Sequence, residues 1–177
     1  ADWKKLIVKG VTAFIGSLCL ILPLKVGYVI IGIQFGFGSL DFPVPIKSGT
    51  QFETITMSNY LAKTGILILC WFMVIISFVI LLSVTVRNEI ANLIAGLIVI
   101  FAEFIYLDRG LGYIKPVENY LPTYSQVSQV VTNMKNHFYT TIKIEYSKGL
   151  VLLISCAVIL FALALVTSLN KRYRFIK

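Results

Sequence analysis

Residues 149–169 read GLVLLISCAVILFALALVTSL, a run of 21 residues without one charge. Coiled as a helix, Leu150, Val151, Leu152, Leu153, Ile154, Ala157, Val158, Ile159, Leu160, Phe161 and Leu163 occupy the whole circumference and leave no polar stripe for water. Only lipid or other apolar helices can cover such a surface. A hydrocarbon core about 30 Å thick needs about 20 helical residues, and three further stretches, at roughly residues 6–35, 61–84 and 90–107, are also long and apolar enough. The expected fold class is therefore all-α: a polytopic membrane helical bundle of four transmembrane helices, one transmembrane domain over residues 1–177, with outer segments at 36–60 and 108–148.

Composition points the same way. The hydrophobic fraction is 58%, and the mean hydropathy of +0.86 lies well beyond that of ordinary globular domains. The first apolar run continues past Pro23 and Lys25 to about Phe35 without a small-residue cleavage site, which makes it a retained span rather than a cleaved signal peptide.

Basic residues set the expected orientation. Lys4, Lys5 and Lys9 flank the first span, Arg87 sits in the tight turn between the second and third, and Lys171, Arg172, Arg174 and Lys177 follow the last. On the opposite side the Lys and Arg residues are spread over long segments and interleaved with Asp41, Glu53, Asp108, Glu118 and Glu145. Both termini are thus expected to be cytoplasmic, in an integral protein of the plasma membrane. The net charge of +8 is accounted for by topology and by anionic lipid, so nucleic acid is not among the expected partners.

Cys19, Cys70 and Cys156 all fall inside apolar runs, where they act as small fillers rather than disulfide partners. His137 is the only histidine and shares no ligand-like spacing with a cysteine or carboxylate, so no metal or other cofactor is expected. No phosphate-binding glycine-lysine loop, nucleophile elbow or zinc-protease motif occurs. The chain is not expected to be an enzyme, and any ATPase activity would reside in a partner subunit.

The turn from Ser83 to Glu89 makes the second and third spans antiparallel neighbours, with Asn88 placed to cap the third helix and Glu89 near its positive end. Lys4, Lys5, Arg87, Asn88 and Glu89 are the candidate contacts for a cytoplasmic partner. Gly36, Gly38, Pro43, Pro45 and Gly49 predict irregular extended structure in the first outer segment. In the second, Tyr120-Leu121-Pro122-Thr123 is a helix-entry signal, and Tyr124, Val127, Val130, Val131 and Met134 at helical spacing predict a short amphipathic helix that lies on the outer membrane surface or dips between the spans.

The order of these features resembles the C-terminal four-span part of type-2 ABC exporter permeases. The likeness is carried by the basic opening Asp2-Trp3-Lys4-Lys5, the turn from Ser83 to Asn92, the Tyr120-Leu121-Pro122-Thr123-Tyr124 segment, Tyr146-Ser147-Lys148-Gly149-Leu150 opening the last span, and the basic tail. The resemblance implies spans equivalent to the family's third to sixth, two cytoplasmic ATPase subunits, a second permease subunit, and alternating access for peptides or other amphiphilic substrates. A different class fits the same pattern: an autonomous four-span accessory or scaffold subunit of a membrane complex. The chain has no extracellular cysteine pair of the kind that staples tetraspanin-like and claudin-like outer loops.

Lys25 and Glu103 are the charged residues well inside the spans. An ion at such depth costs at least a few kcal/mol unless it finds a partner or a water path. Both lie in the outer halves of spans that run outward, and an ion pair between them is one expectation; a second is that Lys25 reaches the outer interface while Glu103 is protonated or faces a polar crevice, and a third is a substrate or proton contact.

Overall fold

A computed structural model describes residues 2–48, 51–86, 88–108, 119–134 and 144–169. All four apolar runs are helical: α1 (Asp2–Phe35), α2 (Met57–Thr85), α3 (Glu89–Asp108) and α5 (Tyr146–Leu169), with a short α4 (Val127–Val131) between the last two. Two of them, α2 and α5, are long and apolar enough to cross a membrane. Ser17, Ser83, Thr85, Thr167 and Ser168 donate their hydroxyls to carbonyls three or four residues back, so these polar groups are satisfied by their own helices.

The α2–α5 pair is the centre of the bundle. These helices run parallel, and Leu67, Cys70, Trp71 and Val74 of one pack against Leu153 and Ala157 of the other. Nearer the chain termini, Leu6 of α1 is fully buried against Ile80, Val84 and Ala164. Gly10, one turn on, lets α1 come close, since a Cβ there would meet Ile80 Cδ1 at 3.3 Å and Phe161 Cε2 at 3.6 Å. Beyond Phe14 most described α1 side chains are exposed, so the helix leans on the central pair chiefly by its first turns. α3 packs on α2, with Gly96 against Val79.

α1 ends where Gly36 takes φ +87°, the left-handed conformation that closes many helices. The chain doubles back so that the Phe37 ring lies on Gly32, with its centroid 5.9 Å from that of Tyr28. Any side chain at position 32 would occupy the ring's place, because an added Cβ would stand 2.7 Å from Phe37 Cζ and closer to other ring atoms.

The chain is mostly helical, and one segment departs from expectation. The first outer segment is not irregular but forms an antiparallel hairpin, β1 (Pro43–Ser48) and β2 (Gln51–Thr56), in the register Pro43↔Thr56 to Ser48↔Gln51. Its prolines are tolerated for a geometric reason. Lys47 turns its N–H away from β2 to bond Thr132 O at 3.0 Å, and by strand alternation positions 43 and 45 face the same way, so neither proline removes a bond from the ladder. Backbone bonds from Met57 N to Phe42 O and from Ser58 N to Leu40 O, both 2.9 Å, carry the hairpin into α2, and the Thr56 side chain caps that helix.

Candidate functional site

The second outer segment is also rearranged from expectation. One continuous helix through Tyr124, Val127, Val130, Val131 and Met134 is replaced by a 3₁₀ turn at Leu121–Tyr124 and the five-residue α4, with a break at Ser125-Gln126. Helical spacing alone favours one rod, but burial decides. Tyr124, Val130 and Val131 are buried among α2 and α5 residues, Val127 is half-buried, and Met134 is exposed. The segment therefore docks between helix ends rather than lying flat on a surface.

Four side-chain contacts hold it there. The Trp71 indole Nε1 donates to Tyr124 O at 2.7 Å in a buried bond. The Tyr124 ring lies against Gly149 in the first turn of α5, where a Cβ would approach its Cε1 to 2.6 Å and its Cδ1 more closely still. Tyr60 Oη donates to Ser128 Oγ at 2.9 Å, and Asn133 Nδ2 donates to Lys47 O at 3.2 Å, tying the segment to α2 and to the free edge of the hairpin. The hairpin and residues 119–134 thus form one cap over this end of the α2–α5 pair.

Just below the cap, Lys63 Nζ sits 5.7 Å from the Tyr146 ring centroid. The contacts of Leu6 and Gly10 fix how α1 aligns with α2 and α5. Counting about 1.5 Å per residue from them, Lys25, Lys63 and Lys148 fall within about one turn of a common level. Lys25 is exposed there. Glu103 belongs to α3, but its side chain lies outside the described residues, as does any ion pair it makes.

At the opposite end, Asn88 Oδ1 accepts from the N–H groups of Ile90 and Ala91 at 3.0 and 3.2 Å, an N-cap with Glu89 exposed in the first turn of α3. Lys4 and Lys5 are exposed in the first turns of α1. Arg87, His137 and the basic tail lie outside the described residues. Asn88 and Glu89 are brought together at the α2–α3 turn.

Between α1 and the α2–α5 pair, on the Lys4 side of the bundle, runs an apolar cleft of about 690 Å³. Ile7, Gly10 and Phe14 line one wall, Met73 and Ser77 of α2 and Phe161 of α5 the other. Sequence reasoning gave Trp71 no role, placed Gly149 only within the motif that opens the last span, and did not find this cleft. Among the described residues no three His, Cys, Asp or Glu side chains are placed to share a metal ion. No protein-family model, curated protein or solved structure matches this chain.

Proposed function

We propose that this chain is the membrane-spanning permease subunit of an ATP-driven exporter, with four spans and both termini in the cytoplasm. Lys5 and Lys25 on α1 are 20 residues apart, about 30 Å at helical rise, and Lys63 to Thr85 on α2 and Lys148 to Leu169 on α5 cover closely similar lengths. The 20 residues of α3 match as well. Lys25, Lys63 and Lys148 then mark the outer interface, where a lysine can hold its ammonium group in water.

The observation that carries the exporter assignment is the meeting of Tyr124 with Gly149. Two sequence features on which the resemblance rests, Tyr120–Tyr124 and Tyr146–Leu150, lie far apart in the chain yet pack on each other, so they act as one outer clasp rather than as two loose motifs. Such a clasp closes the outer end, while the exposed Lys4 and Lys5 on the packed first turns of α1, with Asn88 and Glu89 at the α2–α3 turn, offer a surface to receive motion from cytoplasmic ATPase subunits. Lys4, Lys5, Arg87, Asn88 and Glu89 are the proposed contacts, and a second permease subunit completes the route for a peptide or other amphiphile.

One feature favours the accessory-subunit alternative. Val26, Ile30, Ile33 and Phe35 of α1 are exposed beyond Lys25 and form an apolar projection suited to a partner. Purification from native membranes separates the two. The exporter assignment predicts stoichiometric recovery of a subunit with a nucleotide-binding phosphate loop, lost on reversing the charge at Glu89 together with Lys4 and Lys5. Recovery of a complex without any such ATPase would replace it with the accessory role.

A further inference from the structure

The cleft between α1 and the α2–α5 pair is apolar but for the Ser77 hydroxyl, so it offers ordered water too few partners to stay. Within a bilayer something apolar must fill it. Its α1 wall runs from Ile7 to Phe14, about 10 Å, roughly one third of the span that a partner's transmembrane helix would need. A flexible hydrocarbon chain fits that length, whereas a whole helix would find no groove for most of its course. The volume is within the range of about 300–1,000 Å³ typical of small-molecule sites.

The mouth of the cleft selects the head group. Trp3, Ile7, Gly10 and Phe14 follow one another at helical spacing, so Trp3 continues the cleft-lining stripe of α1 by one turn toward the cytoplasm. Trp3 is 46% exposed, and the Lys4 ammonium stands 5.6 Å from its ring centroid, beside the cleft mouth. An indole at the interface with a cation on its face, next to an apolar slot, presents complementary surfaces to an anionic head and to an acyl chain.

We infer that this cleft is a binding site for an anionic phospholipid of the cytoplasmic leaflet, with one acyl chain between α1 and the α2–α5 pair and the phosphate at Lys4. This site does not depend on the exporter assignment; it rests on the bundle lying in a membrane with its Lys4 end cytoplasmic. An acyl chain there lies alongside the close contact of Leu6 and Gly10 with α2 and α5, and fills the apolar space beside it.

The test uses the full chain in nanodiscs of mixed phosphatidylglycerol and phosphatidylcholine, each lipid in turn carrying a diazirine on one acyl chain. The phosphatidylglycerol probe is expected to label peptides containing residues 7–14 and 157–165 about fivefold more than the phosphatidylcholine probe, the preference of one basic residue near the surface. Lys4→Gln should abolish the preference and Lys25→Gln should leave it intact. Ala162→Phe, at an exposed position lining the cleft, should suppress labelling by both probes while leaving the helical circular dichroism unchanged. Equal labelling by the two lipids, equal loss with Lys25→Gln, or labelling insensitive to Ala162→Phe would overturn the proposal. So would disulfide cross-linking of two copies through Ala162→Cys with no lipid label, because a second copy would then be what seals the cleft.

Discussion

Replacing Gly149 with alanine sets helix propensity against packing, and the two effects have opposite signs. Within a helix, Gly→Ala is favourable by about 1 kcal/mol, and less in a first turn such as this one. The added Cβ, however, would stand 2.6 Å from Tyr124 Cε1 and 3.3 Å from Cγ, against a ring that is fully buried and has no open side toward which to swing. Overpacking of this kind costs about 1–3 kcal/mol, and a displaced Tyr124 also strains the 2.7 Å bond from Trp71 Nε1, which contributes about 1 kcal/mol net. The expected balance is a loss of about 1–2 kcal/mol, which in a chain of this size lowers Tm by about 2–8 °C. Thermal unfolding in detergent followed by Trp71 emission, in a Trp3→Phe background, reads both stability and the Trp71 environment. In a Tyr124→Leu background the same substitution should cost much less, since the ring is gone. A Tm raised by Gly149→Ala with Tyr124 intact, as propensity alone requires, would refute the ring-on-glycine contact and with it the clasp.

Other substitutions probe the remaining joints. Trp71→Phe deletes the donor to Tyr124 O and should destabilise the protein by about 1–3 kcal/mol, measured from the midpoint of the helical circular dichroism signal. Asn88→Ala removes a cap worth about 0.5–2 kcal/mol, so hydrogen exchange of the Ile90 and Ala91 amides should accelerate by about tenfold while that of Leu153 stays unchanged. Gly32→Val should expel the Phe37 ring from α1 and speed exchange over residues 33–38, with no effect on the Trp71 signal. Exchange in that segment identical to the parent protein's would show that Phe37 does not close the helix.

The helices were legible because their signal is local and long. An uncharged run such as residues 149–169 has few alternatives to a helix, and the observed α5 begins only three residues before it. Asn88 as a cap was legible for the same reason, since the acceptor and the amides it serves are two and three residues apart. The hairpin was obscured by Pro43 and Pro45, which argue against a strand unless one knows which edge is unpaired. Its positive signal was the six-residue run Gln51–Thr56, rich in β-formers, with Gly49 just before it. The break in the second outer segment had no local signal at all. Tyr124, Val127, Val130 and Val131 satisfy a helical period, and only the packing of Tyr124 on Gly149 and Trp71 shows why the chain departs from it. For Lys25 the sequence left open an ion pair, a reach to the outer interface or a substrate or proton contact. Its shared level with Lys63 and Lys148 appears only once the helices are packed, because those lysines come from helices 38 and more residues away in sequence.

The central claim is that these helices cross a membrane with the Lys4 end inside and the Lys25 level outside. Single cysteines at positions 4, 25, 63, 88 and 148, in a chain whose Cys19, Cys70 and Cys156 are replaced by alanine, test it in intact cells with a thiol reagent that cannot cross membranes. The account predicts rapid labelling at 25, 63 and 148 from outside, and labelling at 4 and 88 only after the membrane is opened. Labelling of positions 4 and 25 from the same side of the intact membrane would contradict it.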